Sequence, residues 1–212
     1  MTPGTDGSEP DATHGDTPAD LSGLEGVLSG SVRVLRYPHE TEPDEDGSTR
    51  EWHCDVVVAD EVPGRGYTTY ATVGMRQFDT NVTTGDGRQI RTELVTVGRT
   101  GHRAMADVLD ACALAVASGS FHVAPGALVP NAVELVDPGH RCRHVLLVPP
   151  FLWPELQVVD ETGDEHVLTR LQAVPVTTAE LTMASEQGHE ALFSALDAAG
   201  ADVTNPDRPS VA

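Results

Sequence analysis

The residues from His140 to His144 have the types and spacing of a metal site. On a β-strand, the alternation of His140, Cys142 and His144 would place two imidazoles and a thiol on one face. These are ligands that zinc prefers, and His53–Cys54 could add a further one. Because a structural zinc usually has four protein ligands, we favour a packed cysteine and histidines at the start of a strand. A metal-dependent enzyme that uses this cluster is the less favoured alternative.

Two acidic runs could also carry chemistry. The run Asp44-Glu45-Asp46-Gly47 matches the start of a calcium loop, but the bidentate acid at the twelfth position would fall on Asp55, in a predicted strand. The second run, Asp160 to Glu165, surrounds a predicted hairpin turn. Catalytic carboxylates need burial or a close like charge to shift their pKa, which a turn does not provide. We therefore predict no catalytic, metal-binding or cofactor-binding residue.

The charge balance limits the choice of partners. The 212 residues include 33 acids and 13 bases, all of them arginine, and the net charge is −20. Nucleic-acid recognition depends on neutralising phosphates with basic side chains, so this composition argues against it. The same charge would attract a basic protein partner. The three cysteines are an odd number with no C-x-x-C spacing, and we expect them to be reduced and buried.

The composition along the chain predicts one folded domain with two loose ends. Residues 1–20 contain five acids and no base, and Met1 is their one large apolar residue, which predicts a disordered tail. We place the domain at 21–204 and expect 205–212 to be frayed. Neither a secretory signal nor a membrane-spanning run is visible, so we expect a cytoplasmic protein.

Hydrophobic periodicity predicts a series of strands between helices. A capping box at Thr177 and Glu180 marks the start of one helix, and Gly188 separates it from a last one. The pattern favours an α+β fold, a mixed or antiparallel sheet with helices on one face. The other predicted segments are helices at 21–37 and 101–118 and strands at 52–59, 67–75, 89–97, 144–148, 156–160 and 166–174.

Taken in order, four parts of the chain resemble the Suppressor of fused family in its compact bacterial form. The most specific is the segment Leu171–Leu181 followed by Gly188, and the resemblance extends from about Trp52 to Leu196. The other parts are the strand end Thr72-Val73-Gly74-Met75, the strand Arg91-Thr92-Glu93-Leu94-Val95, and the middle section with Phe121–Pro130 and Pro149-Pro150.

This resemblance implies a cytoplasmic protein-binding domain without enzymatic activity. The animal family member sequesters a transcription factor, and bacterial members look like immunity proteins that neutralise toxins. The resemblance thus implies an immunity protein with a protein partner, which its acidity suggests is a basic toxin domain. The alternative within this class is an intracellular regulator or scaffold unrelated to toxins.

A proline-rich loop offers a candidate partner-binding patch. Phe151, Leu152 and Trp153 lie between Pro149-Pro150 and Pro154. Aromatic residues exposed together in such a loop would form an anchor for a partner. If they are instead buried, they cover one end of the core.

Overall fold

A computed structural model of the protein describes residues 24, 27–28, 31–41, 48–101, 103–119, 122–157 and 166–212. The predicted disordered tail at 1–20 lies outside these residues. The described residues form seven strands and three α-helices. In chain order these are β1 (Val32–Glu40), β2 (Glu51–Asp60), β3 (Tyr67–Val73), β4 (Gln89–Arg99), α1 (Ala104–Ala117), β5 (Leu128–Val129), β6 (His144–Val148), β7 (His166–Val176), α2 (Thr178–Gln187) and α3 (His189–Ala198).

The strands form one mixed sheet in the order β1-β2-β3-β4-β7-β6-β5. The first four strands are an antiparallel meander, and β5, β6 and β7 are also antiparallel. The two groups meet where β4 and β7 run parallel, with Leu94 opposite Leu171. A parallel pair needs a long crossover connection, and the chain between β4 and β7 contains α1 and the pair β5–β6. The predicted α+β class with a mixed sheet is confirmed.

Helices cover both faces of the sheet, which corrects the prediction of one covered face. Successive residues of β6 belong to different hydrophobic clusters: Val145 and Leu147 pack with α1, whereas Leu146 and Val148 pack with Leu192 of α3. Alternate residues of a strand point to opposite faces, so α1 and α3 lie on opposite sides. All five residues of β6 are buried, as expected for a strand covered on both faces.

The helix predicted at 21–37 is wrong for residues 32–37. From Val32 onward the chain is an edge strand, paired with β2 so that Leu35 lies opposite Val56. Leu35 and Tyr37 alternate inward with the exposed Arg36 between them, a period of two rather than 3.6. Of the preceding residues the structure describes a single turn, in which the Leu28 amide donates to the Leu24 carbonyl at 2.8 Å.

A second correction concerns the strand predicted at 156–160. Pro154–Gln157 is a short 3₁₀ helix instead, in which the Leu156 amide donates to the carbonyl of Trp153 at 2.9 Å. Proline at the first position of a helical turn loses no hydrogen bond, because its missing N–H would be unpaired there. The rest of the predicted strand and the acidic hairpin turn lie outside the described residues.

The C-terminal segment, predicted to be frayed, is packed against the domain. Arg208 is 3% exposed, and its Nη2 donates to the carbonyl of Pro175 at 3.1 Å. The carbonyl of Pro206 accepts from the Cys142 amide at 2.8 Å. The Pro206 backbone and the Arg208 side chain are therefore both bound to the domain, so the folded unit continues past 204.

None of the described helices is long and apolar enough to cross a membrane.

Cys54, Cys112 and Cys142 are free and buried, as predicted. Burial raises the pKa of Cys112 to about 12 and that of Cys142 to about 11. Both thiols are therefore protonated at neutral pH.

Candidate interaction surface

The residues of the candidate metal cluster have separate structural contacts. His144 accepts a hydrogen bond from the Asn131 amide at Nδ1 (2.9 Å), so its Nε2–H donates to the Thr178 hydroxyl (3.0 Å). Burial lowers its pKa and favours this neutral ring. His140 lies 3.0 Å from an Asp207 oxygen, and Cys142 is buried. Within the described residues, no three His, Cys, Asp or Glu side chains are placed to hold a metal.

Only one residue of the calcium-loop pattern can be located. The acidic run at 44–47 lies outside the described residues, and Asp55, at its twelfth position, is inside β2. The Asp55 carboxylate accepts two hydrogen bonds of 2.8 Å from the guanidinium of Arg36 on the neighbouring strand. This bidentate geometry is the one that arginine and carboxylate prefer, and it joins β1 to β2.

Glu93 of β4 holds the turn that follows β3. Its Oε1 accepts from the amides of Gly74 (2.9 Å) and Arg76 (3.1 Å). Its Oε2 accepts from the Thr72 hydroxyl (2.7 Å) and the Met75 amide (3.3 Å). Gly74 has a φ of 109°, which other residues rarely adopt. Burial raises the pKa of Glu93 despite these hydrogen bonds. The segments 72–75 and 91–95, two parts of the family resemblance, are thus one structural unit.

Glu180 has the same kind of role at the start of α2. It completes the predicted capping box with Thr177, whose amide donates to it at 2.9 Å. Arg208 donates to both of its oxygens, at 2.5 and 2.7 Å, and the Val211 amide donates at 3.0 Å. Burial alone would raise the pKa of Glu180, but the hydrogen bonds outweigh it and the pKa lies below its ordinary value. The carboxylate therefore ties the C-terminal segment to α2.

A third polar cluster, which the sequence analysis misses, fastens β1 to α1. Nε2 of His39 lies 2.7 Å from Oδ1 of Asp110, and the Tyr37 hydroxyl donates to Asp107 at 2.6 Å. The His39 ring also packs on Trp52, with ring centroids 4.5 Å apart. Asp107 and Asp110 are three residues apart and so share one face of α1. This spacing of the two acids is the one sign of the cluster within a short stretch of sequence, because their partners on β1 lie about 70 positions away along the chain.

The structure separates the three residues of the proposed partner-binding loop. Trp153 is 3% exposed and packs with Leu156 in the cluster that covers β2–β4. Leu152 is partly buried against the same cluster. Phe151 is 40% exposed and packs edge to face with Phe193 of α3, with centroids 6.0 Å apart. The loop thus anchors itself with Trp153 and presents Phe151 at the surface.

Phe151 forms one wall of an open, mostly apolar cleft of about 460 Å³. The other wall is α3, which contributes Phe193, Ser194 and Asp197. The cleft continues over the segment after the helix, where Ala201 and Val203 line it. We call this feature the Phe151 cleft.

The charged side chain that lines the Phe151 cleft is acidic, that of Asp197. Glu190 and Asp197 are exposed on α3, and Phe193, between them at helical spacing, is partly buried against the cluster that contains Leu192 and Leu196. Between Arg170 and Arg208 the sequence contains no arginine or lysine. The nearby Asp202 pairs with Arg99 of β4 at 2.9 Å.

Comparison with known proteins identifies the family of this mixed α+β domain. The family model "Suppressor of fused protein (SUFU)" matches residues 50–209. The chain belongs to the Suppressor of fused family. The match includes Glu93, Glu180 and Arg208, which hold the backbone together in the structure.

Three individual proteins show how far this similarity extends. The chain is 30% identical over 186 residues to Immunity protein YqcF of Bacillus subtilis, covering 88% of this chain and 92% of that protein. A Suppressor of fused homologue from Neisseria gonorrhoeae superposes with a TM-score of 0.65 at 18% identity, covering 91% and 94% of the two chains. A chain of the Sufu–Fu complex crystal structure superposes with a TM-score of 0.53 at 16% identity, and the match covers 89% of this chain and 82% of that one.

Proposed function

We propose that the protein is an immunity protein, which neutralises a toxin by binding it and performs no chemical step. The observation that carries this proposal is the 30% identity, over most of both chains, to a Bacillus protein named as an immunity protein. The proposal places the protein in the cytoplasm, where a bound toxin would be kept from its target.

The polar chemistry of the described residues supports a binding role. The two buried carboxylates with the most hydrogen bonds, Glu93 and Glu180, are engaged by backbone amides or by Arg208. Such carboxylates stabilise turns and helix ends, and a general acid or base needs access to a substrate. The net charge of −20 would in addition speed association with a basic toxin.

Co-expression tests this proposal. Each toxin candidate encoded next to the gene is expressed in a sensitive host, with the full chain or with an empty vector. We expect the chain to restore growth against one toxin and to co-purify with it. Unrestored growth with every candidate, together with co-purification of a host protein that is not a toxin, would favour the alternative of a regulator or scaffold.

A further inference from the structure

We propose that the Phe151 cleft binds a basic segment of the partner protein, which inserts one large apolar side chain beside Phe151 and Phe193. This inference rests on the proposed function, since it specifies the chemistry of the partner. It concerns the surface of contact with that partner.

The apolar part of the argument is the pair of rings. Phe151 and Phe193 meet at 86° and are both incompletely buried. Beside the two rings lies the open, mostly apolar cleft of about 460 Å³. Rigid aromatic side chains at the edge of such a space are typical anchors of protein interfaces. The cleft therefore fits a bulky apolar side chain.

The charge around the rings determines what must flank that side chain. Asp197 lines the cleft, and Glu190 precedes Phe193 by one helical turn with a side chain that is 88% exposed. The imidazole of His189 lies 3.5 Å from Glu190. Lysine or arginine beside the apolar anchor would complement these carboxylates, whereas acidic neighbours would be repelled.

A second surface depression lacks this complementarity. It measures about 550 Å³ and lies at the start of β2, beside Trp52. Its lining has both signs of charge, with Arg36 as well as Glu40 and Glu51. Trp52 itself is 9% exposed and is engaged by His39 and Phe78. Trp52 therefore offers a partner little exposed surface, and the Phe151 cleft is the better candidate.

The probe for this inference is a set of three matched synthetic peptides. The first has several arginines and lysines around one phenylalanine; the second replaces the phenylalanine with alanine, and the third replaces the basic residues with glutamates. The full chain, labelled with ¹⁵N, is titrated with each peptide and observed by NMR. We expect the first peptide to bind about tenfold more tightly than the other two. Its amide shift changes should centre on Phe193, Asp197 and Ala201.

Two variants and two matched controls locate the binding. Phe151→Ser and Asp197→Arg should each weaken binding of the first peptide about tenfold. Leu135→Ser, at a residue that is 78% exposed on another part of the surface, and Glu51→Arg should change it little. Equal effects in all four variants, equal affinity for all three peptides, or shift changes centred elsewhere would overturn the inference.

The toxin assay separates this inference from the proposed function. If the wild-type chain neutralises a toxin and Phe151→Ser and Asp197→Arg do so equally well, the function stands and the cleft assignment is wrong. If the wild-type chain neutralises none but binds the first peptide at the cleft, the assignment stands and the immunity role fails.

Discussion

Two acidic regions of the C-terminal third differ in whether their carboxylates are buried and paired or exposed. At the start of α2, Glu180 is fully buried, and Arg208 and two backbone amides surround it. On the outward face of α3, Glu190 and Asp197 are exposed with no arginine or lysine in the surrounding stretch. A buried charge must be compensated within the chain, whereas an exposed one stays available to a partner.

The contrast explains why the family is easier to recognise than the function. Residues such as Glu93 and Glu180 hold the backbone, so their spacing follows from the fold. The exposed face of α3 has no such structural requirement and can be adapted to a partner. The most recognisable segment of the chain therefore reports on its scaffold.

The largest expected effect is the loss of the buried guanidinium. Arg208→Met leaves the Glu180 carboxylate buried without its counter-ion, and we expect the free energy of unfolding to fall by about 3–5 kcal/mol. Urea denaturation measures this change. Arg99→Met, which breaks the exposed ion pair with Asp202, is the matched control and should have a far smaller effect.

A double variant sharpens this result. Adding Glu180→Gln to Arg208→Met removes the uncompensated charge, so part of the lost stability should return. If the double variant is as unstable as the sum of the single ones, Arg208 stabilises the domain by packing and not by pairing.

The next effect concerns the turn after β3. Glu93→Gln replaces one carboxylate oxygen with a donor that faces backbone amides, so we expect a loss of about 1–3 kcal/mol. Hydrogen exchange of the Gly74 and Arg76 amides should become faster. Glu51→Gln, at the exposed start of β2, is the control. Unchanged exchange at Gly74 and Arg76 would mean that the carboxylate does not hold this turn.

The pH dependence follows from the lowered pKa of Glu180. A carboxyl group whose folded pKa is lowered stabilises the protein above its ordinary value of 4.5, and that stabilisation disappears as the pH falls through the folded pKa. The stability difference between the wild-type chain and Glu180→Gln should therefore shrink as the pH falls below about 4.5. The raised pKa of Glu93 acts in the opposite direction but is common to both proteins. A difference independent of pH would contradict this account.

The smallest effect on stability is expected at the exposed carboxylates of α3. Asp197→Arg changes an exposed residue, so the free energy of unfolding should change by no more than about 0.5 kcal/mol. Its effect should appear in partner binding alone. A clear loss of stability would show that Asp197 belongs to the scaffold.

Local patterns in the sequence predict most of the fold. The capping box at Thr177 and the helix predicted at 101–118, which is α1, both follow from patterns within one continuous segment, and both predictions are confirmed. Pairing between distant segments is harder to predict. The apolar spacing of 21–37 suggests a helix, but β2 offers the segment from Val32 onward a full set of strand partners.

The other errors have a similar origin. The C-terminal segment contains little apolar surface, and its order depends on an ion pair between residues 28 positions apart. The separation of Phe151 from Trp153 depends on which cluster each ring meets in three dimensions. The sequence alone indicates an aromatic loop, and the packing decides which ring is exposed.

A titration of toxin activity tests the central claim most directly. The toxin identified by co-expression is held at a fixed concentration well above the dissociation constant while purified protein is added. A binding protein should abolish the activity in proportion to its amount, with none left at equal numbers of molecules, and the end point should not change with time. If the toxin activity instead continues to fall with time when far less protein than toxin is present, the protein inactivates the toxin catalytically, which would contradict the account.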